Sequence, residues 1–148
     1  MHLYNIHQVG LVHCDLHGGN IVMHDRNDST KSLICDLGLS RSVNSRESNS
    51  TIRGGLPYIA PEVFHTRKFT QKSDVYSFGI IMHLMATGES PFRDRQFDTS
   101  LIREIMDVHR CLIQLQRNTK NLPSGVVMLI LINVHIQGDF GMILAIFL

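Results

Sequence analysis

Three residues with oxygen-bearing side chains, Asp15, Asn20 and Asp36, stand at a spacing that suits phosphate chemistry. A loop carrying Asp15 and Asn20, followed by a short hairpin that returns Asp36 to the same place, converges three oxygen ligands. Such a set fits a hard cation bound together with phosphate, because magnesium keeps few protein ligands and takes the rest from substrate and water. A carboxylate left over beside the cation can orient or deprotonate a hydroxyl nucleophile. Asp and Asn are also common turn formers, and on spacing alone the two readings are evenly matched. His13 and His17 do not read as a zinc site, because no cysteine or acidic set joins them at zinc spacing.

The elements around these residues can be read in outline. Met1–Val9 has the pattern of a helix end, closed by Gly10. Ile21–Met23 and Leu33–Cys35 are short β-type runs on either side of the turn-rich segment Asp25–Ser29, which predicts a hairpin. Ser40–Thr51 is polar, hydroxyl-rich and unpatterned, and reads as a loop. Ser73 is placed to cap a helix running to about Thr87, stopped by Gly88 and Pro91. Its apolar residues Val75, Phe78, Ile80, Ile81, Leu84 and Met85 lie all round, the pattern of a buried helix. Thr99–Val108 reads as a second, more amphipathic helix.

A chain of 148 residues can bury one core and is short for two domains. A net charge of +1 lacks the basic footprint of a nucleic-acid binder. Cys14, Cys35 and Cys111 are odd in number and scattered, which argues against a disulfide framework and for a reducing compartment. Met1–Gly10 shows no secretory pattern, so the expected location is the cytoplasm. Val126–Ile136 is an apolar run of core-helix length, too short to span a bilayer. Extended to Leu148 it includes Asn133, His135, Gln137 and Asp139, so a membrane anchor is not favoured.

The letters around the oxygen ligands decide between the two readings. His13-Cys14-Asp15-Leu16-His17-Gly18-Gly19-Asn20 resembles the protein kinase catalytic loop H-R-D-L-x-x-x-N, and Asp36-Leu37-Gly38 resembles D-F-G. Ala60-Pro61-Glu62 matches A-P-E, with Gly55-Leu56-Pro57-Tyr58 ahead of it similar to G-T-x-Y. Asp74-Val75-Tyr76-Ser77-Phe78-Gly79 looks like the start of the family's buried helix F. Each motif alone is weak, but four in the right order are specific. His17-Gly18-Gly19-Asn20 also leans toward small-molecule kinases, which lack the A-P-E and helix-F motifs present here.

The resemblance implies that Asp15 is the catalytic base, while Asn20 and Asp36 hold magnesium ions on the phosphates of ATP. His17 stands where serine/threonine kinases place a lysine near the γ-phosphate, and is carried as a third catalytic position. His13, Gly38, Glu62 and Asp74 are implied as structural: Glu62 pairs with a distant arginine in the family, and Asp74 braces the catalytic loop. The segment Asp36–Glu62 is implied as the activation segment, a platform for a protein substrate. Cys14 replaces the arginine that pairs with a phosphorylated activation loop, so the serines after Ser40 are poor switch candidates. Leu56 stands in for a threonine that ties this segment to the catalytic aspartate. The pattern is closest to the tyrosine-kinase-like group, whose members mostly modify serine and threonine.

The expected fold is α+β and mainly helical: the large lobe of a kinase, with a β-hairpin at the catalytic loop and no small lobe in the chain. The expected division is a partial kinase domain over 1–107 and a non-family tail over 108–148. The codons of that tail can carry the family's missing motifs in another frame. Asp107–His109 permits Arg-Pro, Leu115–Leu122 permits Pro-Glu-Lys-Tyr-Lys-Glu-Leu, and Gly125–His135 permits Cys-Ser-Asp-Ala-Asp-Pro-Asp-Lys-Arg-Pro. This leads to the expectation of a frame change near Asp107, with the apolar run an accident of frame. Without the glycine-rich loop and its lysine the chain is expected to be an inactive fragment of an ATP- and magnesium-dependent protein kinase. The alternative is a non-catalytic, pseudokinase-like binding module.

Overall fold

A computed structural model describes residues 2–26, 29–45, 52, 54–89, 92–93 and 95–107. It divides into two compact units, residues 1–81 and 82–148. The expected tail, the apolar run at 126–136 and the proposed frame change lie outside the described residues.

In the first unit, helix α1 (Leu3–Gln8) ends at Val9, and Gly10 takes φ 73° while its N–H bonds to the carbonyl of His7. That left-handed residue is what turns the chain into strand β1 (Leu11–Val12). A 3-10 turn at Gly18–Asn20 leads into β2 (Ile21–Arg26), which pairs antiparallel with β3 (Ser29–Ile34), Ile21 opposite Ile34. The expected hairpin is present, with longer strands than the apolar runs suggested. Strand β4 (Arg41–Ser42) pairs antiparallel with β1, Val12 opposite Arg41. This corrects the reading of 40–51 as loop alone. Two-residue strands have no period to detect, and residues 46–51 lie outside the described set.

A 3-10 turn (Leu56–Tyr58), helix α2 (Pro61–Thr66) and the long helix α3 (Gln71–Thr87) follow. Helix α3 starts three residues earlier than a cap at Ser73 implies, and Ser73 is not its cap. Thr70 and Ser73 bond reciprocally, each side-chain oxygen accepting from the other's backbone N–H at 3.3 and 2.9 Å, so Thr70 is the N-cap of a capping box. The helix is also not buried all round. Val75, Phe78, Met82 and Met85 are exposed, while Ser73, Asp74, Ser77 and Gly79 join Tyr76, Ile80 and Ile81 in the interior. Small and polar residues face inward because their hydrogen bonds go to loops, which an apolar count does not see.

The core of this unit gathers Ile6, Leu16, Ile34 and Ile81, with Leu3, Leu11, Ile21, Leu37 and Tyr58 packed against them. One residue from α1, one from the loop after β1, one from β3 and one from α3 therefore share a single cluster. Helix, loop and hairpin are fixed together by apolar burial.

In the second unit residues 99–107 form a helix, α4, as expected to within one residue. Asp98 caps it, its Oδ1 accepting from the N–H groups of Ser100 and Leu101 and from the Ser100 hydroxyl. These bonds hold the Asp98 carboxyl below its usual range. Leu101 and Ile105 on α4 are buried, as is Phe92. Among the described residues no helix is long and apolar enough to cross a membrane.

Candidate active site

The loop after β1 is anchored from below by one carboxylate. Asp74, 2% exposed on α3, accepts from the backbone N–H of His13 at 2.8 Å and of Cys14 at 3.1 Å. Its Oδ2 also lies 2.9 Å from Nε2 of His7, on the last turn of α1. Gln71 in turn donates to the carbonyl of His7 at 2.8 Å. His7 was not singled out in the sequence. The available signal was a histidine ending a helix just ahead of the loop it helps to hold.

This anchorage supports a costly backbone. Cys14 has φ 68° and Asp36 φ 59°, left-handed conformations that non-glycine residues rarely adopt and that cost on the order of 1–3 kcal/mol each. The Cys14 side chain is buried, its Sγ 3.5 Å from the carbonyl of Val12. Burial, with a smaller contribution from the Asp74 charge, pushes its thiol up to about 12.

His13 ties this loop to the end of the hairpin. Its ring is fully buried, Nδ1 accepting from the Asp15 N–H at 3.3 Å and Nε2 facing the Cys35 carbonyl at 3.1 Å. With Nδ1 accepting, the proton sits on Nε2 and donates to Cys35. Asn20, 7% exposed, closes the loop on itself through Nδ2, which donates to the carbonyl of Asp15 at 2.8 Å. Its own carbonyl accepts from the Cys35 N–H at 2.9 Å. Asn20 is therefore paired with the residue just before Asp36, which brings the three oxygen-bearing side chains into one region.

Asp36 is exposed, and its Oδ1 accepts from the Gly38 N–H at 3.1 Å. A Cβ on Gly38 would lie 3.0 Å from that oxygen, a tight approach that the exposed carboxylate would have to ease by a few tenths of an ångström. The Asn20 amide N–H goes to the Asp15 carbonyl, which leaves its Oδ1 as a candidate ligand. One Asp36 carboxylate oxygen goes to the Gly38 N–H, which leaves the other as a second candidate. Two such oxygen donors fit magnesium with phosphate, and among the described residues no group of three or more His, Cys, Asp or Glu assembles that could hold a metal alone.

Asp15 itself is partly exposed. Nε2 of His17 lies 3.9 Å from its Oδ2. On the other side Gly54, with φ 120°, passes so close that a Cβ there would be 3.0 Å from Oδ1. Tyr58 contacts the His17 ring at 6.1 Å between centroids, and its carbonyl accepts from the Ser77 hydroxyl at 2.6 Å. The gap lined by Asp15, Gly54, Gly55, Tyr58 and Ser73 has a volume of about 10 Å³, room for one water at most. Glu62, in the first turn of α2, lies near enough to Tyr76 to help burial raise that phenol. The segment in which the family carries the arginine partner of Glu62 lies outside the described residues.

The family profile described as the protein kinase domain matches residues 2–131. The chain belongs to the protein kinase family. It is 30% identical over 89 residues to a serine/threonine-protein kinase of Caenorhabditis briggsae, covering 60% of this chain and 8% of that protein. It is 30% identical over 118 residues to a probable leucine-rich repeat receptor-like protein kinase of Arabidopsis thaliana, 78% of this chain and 12% of the relative. A probable serine/threonine-protein kinase of Dictyostelium discoideum matches at 32% over 102 residues, 69% of this chain and 6% of the relative. The kinase chain thus spans at most about an eighth of the length of these relatives.

Proposed function

We propose that these residues are the catalytic-loop and activation-segment part of a kinase that transfers the γ-phosphoryl group of ATP to a protein serine or threonine hydroxyl. The observation that carries the reading is the linkage of Asp15 to Asn20 through the side-chain amide, and of Asn20 to the residue before Asp36 through a backbone hydrogen bond. Asp15 is the base: its partly exposed carboxylate is within reach of an incoming hydroxyl and takes its proton as the bond to phosphorus forms. Asn20 and Asp36 would hold magnesium, which neutralises charge on the phosphates. The large-lobe assignment rests on the same residues, with 36–62 as the surface that meets the protein substrate.

The 148-residue chain by itself is proposed to be inactive. Its sequence contains no G-x-G-x-x-G loop and no V-A-I-K lysine, and loss of positioning of this kind forfeits many orders of magnitude in rate. A radiolabelled-ATP assay on a generic serine-rich substrate checks this, with Asp15→Asn as the control. The expected result is background incorporation from both proteins. Robust incorporation that Asp15→Asn abolishes would show that the chain needs no further positioning groups. Grafting these residues onto a relative's small lobe should restore Asp15-dependent transfer.

A further inference from the structure

The two oxygens of the Asp15 carboxylate have different neighbours, His17 beside Oδ2 and Gly54 beside Oδ1. On the first side the Gly19 N–H donates to Nδ1 of His17 at 3.1 Å. An accepting Nδ1 forces the neutral ring to carry its proton on Nε2, the nitrogen that lies 3.9 Å from Oδ2 of Asp15. Gly19 cannot be replaced without moving that ring, because a Cβ would sit 2.9 Å from Cε1 and 3.0 Å from Nδ1. Tyr58 bounds the ring from another direction. On the second side Gly54 approaches Oδ1, where any other residue would place a Cβ 3.0 Å from it.

We propose that His17 is a positioning residue: as the Nε2–H tautomer selected by Gly19, it holds Oδ2 of Asp15, and leaves Oδ1 to take the acceptor's proton across Gly54. The proposal rests on the reading of Asp15 as the base. The present 3.9 Å separation is longer than a hydrogen bond. Catalytic contacts of this kind are often long before substrate arrives and shorten in the complex. The lysine expected at this position would bring a full charge to the phosphates. The histidine, its Nδ1 accepting from Gly19, instead acts on the base.

The test is nuclear magnetic resonance on the 148-residue chain with nitrogen-labelled histidines, at a pH where the rings are neutral. His17 should show a single tautomer with Nδ1 unprotonated and Nε2 protonated, and Gly19→Ala should lose that preference. A protonated Nδ1 in the unsubstituted chain would overturn the proposal. Carbon relaxation of the Asp15 carboxyl supplies the second measurement, and does not depend on Gly19→Ala folding. His17→Ala should mobilise the carboxyl, and His17→Gln should restore its order, because an amide offers both an acceptor to Gly19 and a donor to Oδ2. A carboxyl equally ordered in His17→Ala would also overturn it. Neither readout needs phosphotransfer, so failure of the kinase reading in an activity assay leaves this result separately readable.

Discussion

Replacing Asp74 by alanine should be among the most damaging single changes in the first unit. The side chain is 2% exposed and accepts two buried backbone N–H groups at 2.8 and 3.1 Å, with His7 as a third partner. A buried donor left without a partner costs about 1–3 kcal/mol, so the two backbone groups alone set a loss of about 2–6 kcal/mol. Release of the left-handed backbone at Cys14 (φ 68°) returns part of this as the loop relaxes. The expected net loss is therefore about 1–5 kcal/mol, its upper part in the range for breaking a buried charged network. That is a large share of the roughly 5–15 kcal/mol that holds a domain together. Urea titration followed by circular dichroism measures it as a shift in midpoint at constant slope. Asp74→Asn keeps one acceptor oxygen and should lose about half as much. A loss below about 1 kcal/mol for Asp74→Ala, or an asparagine variant less stable than alanine, would refute the view that this carboxylate anchors the loop.

Other residues give simpler expectations. Ser77→Ala removes the hydroxyl that donates to the Tyr58 carbonyl at 2.6 Å and should destabilise by about 1–2 kcal/mol in the same titration. Ile6→Ala opens a cavity in the shared core, where Ile6 is wholly buried, and should lose about 2–5 kcal/mol. Cys14 should resist a maleimide at pH 8 in the folded chain and react once urea is added, as mass spectrometry of the labelled peptides would reveal. Its thiol stays protonated in the folded state up to about 12, against an ordinary value of 9.0. The unfolded chain therefore releases this proton first, so stability is intact below pH 9 and falls as pH rises from there toward 12. Cys14→Ala should flatten that alkaline slope, and an unchanged slope would show that the thiol does not contribute to it.

The candidate residues could be named because the letters around them resemble a family's motifs, whereas spacing alone left Asp15, Asn20 and Asp36 evenly matched between a site and turn formers. The hairpin was legible from the turn residues at its tip and the β-type runs on its arms. Helix α1 announced its end with Gly10, the left-handed residue such an end requires. What escaped was carried by contacts between distant segments. Pairing of β1 with β4 joins two strands too short to show alternation. The true cap of α3 is a Thr70–Ser73 pair in which either residue could have been the cap. His7 looks like any helix-end histidine until the fold sets it against Asp74. The inward face of α3 was misjudged because Ser73, Ser77 and Asp74 are buried for their hydrogen bonds, whereas Val75 and Phe78 are exposed. The approach of Gly54 to Asp15 was not foreseen, since close approach of a backbone to a carboxylate leaves no mark on spacing.

The account stands or falls on whether Asn20 and Asp36 act together as the metal-phosphate site beside Asp15. Manganese(II) added with ATP to the isotopically labelled chain tests this most directly, because a paramagnetic ion broadens its neighbours even when binding is weak. Selective broadening of the Asn20 side-chain amide and of Asp36, lost in Asp36→Asn, is the predicted result. Uniform broadening, or broadening centred on other acidic residues and unchanged by Asp36→Asn, would contradict it.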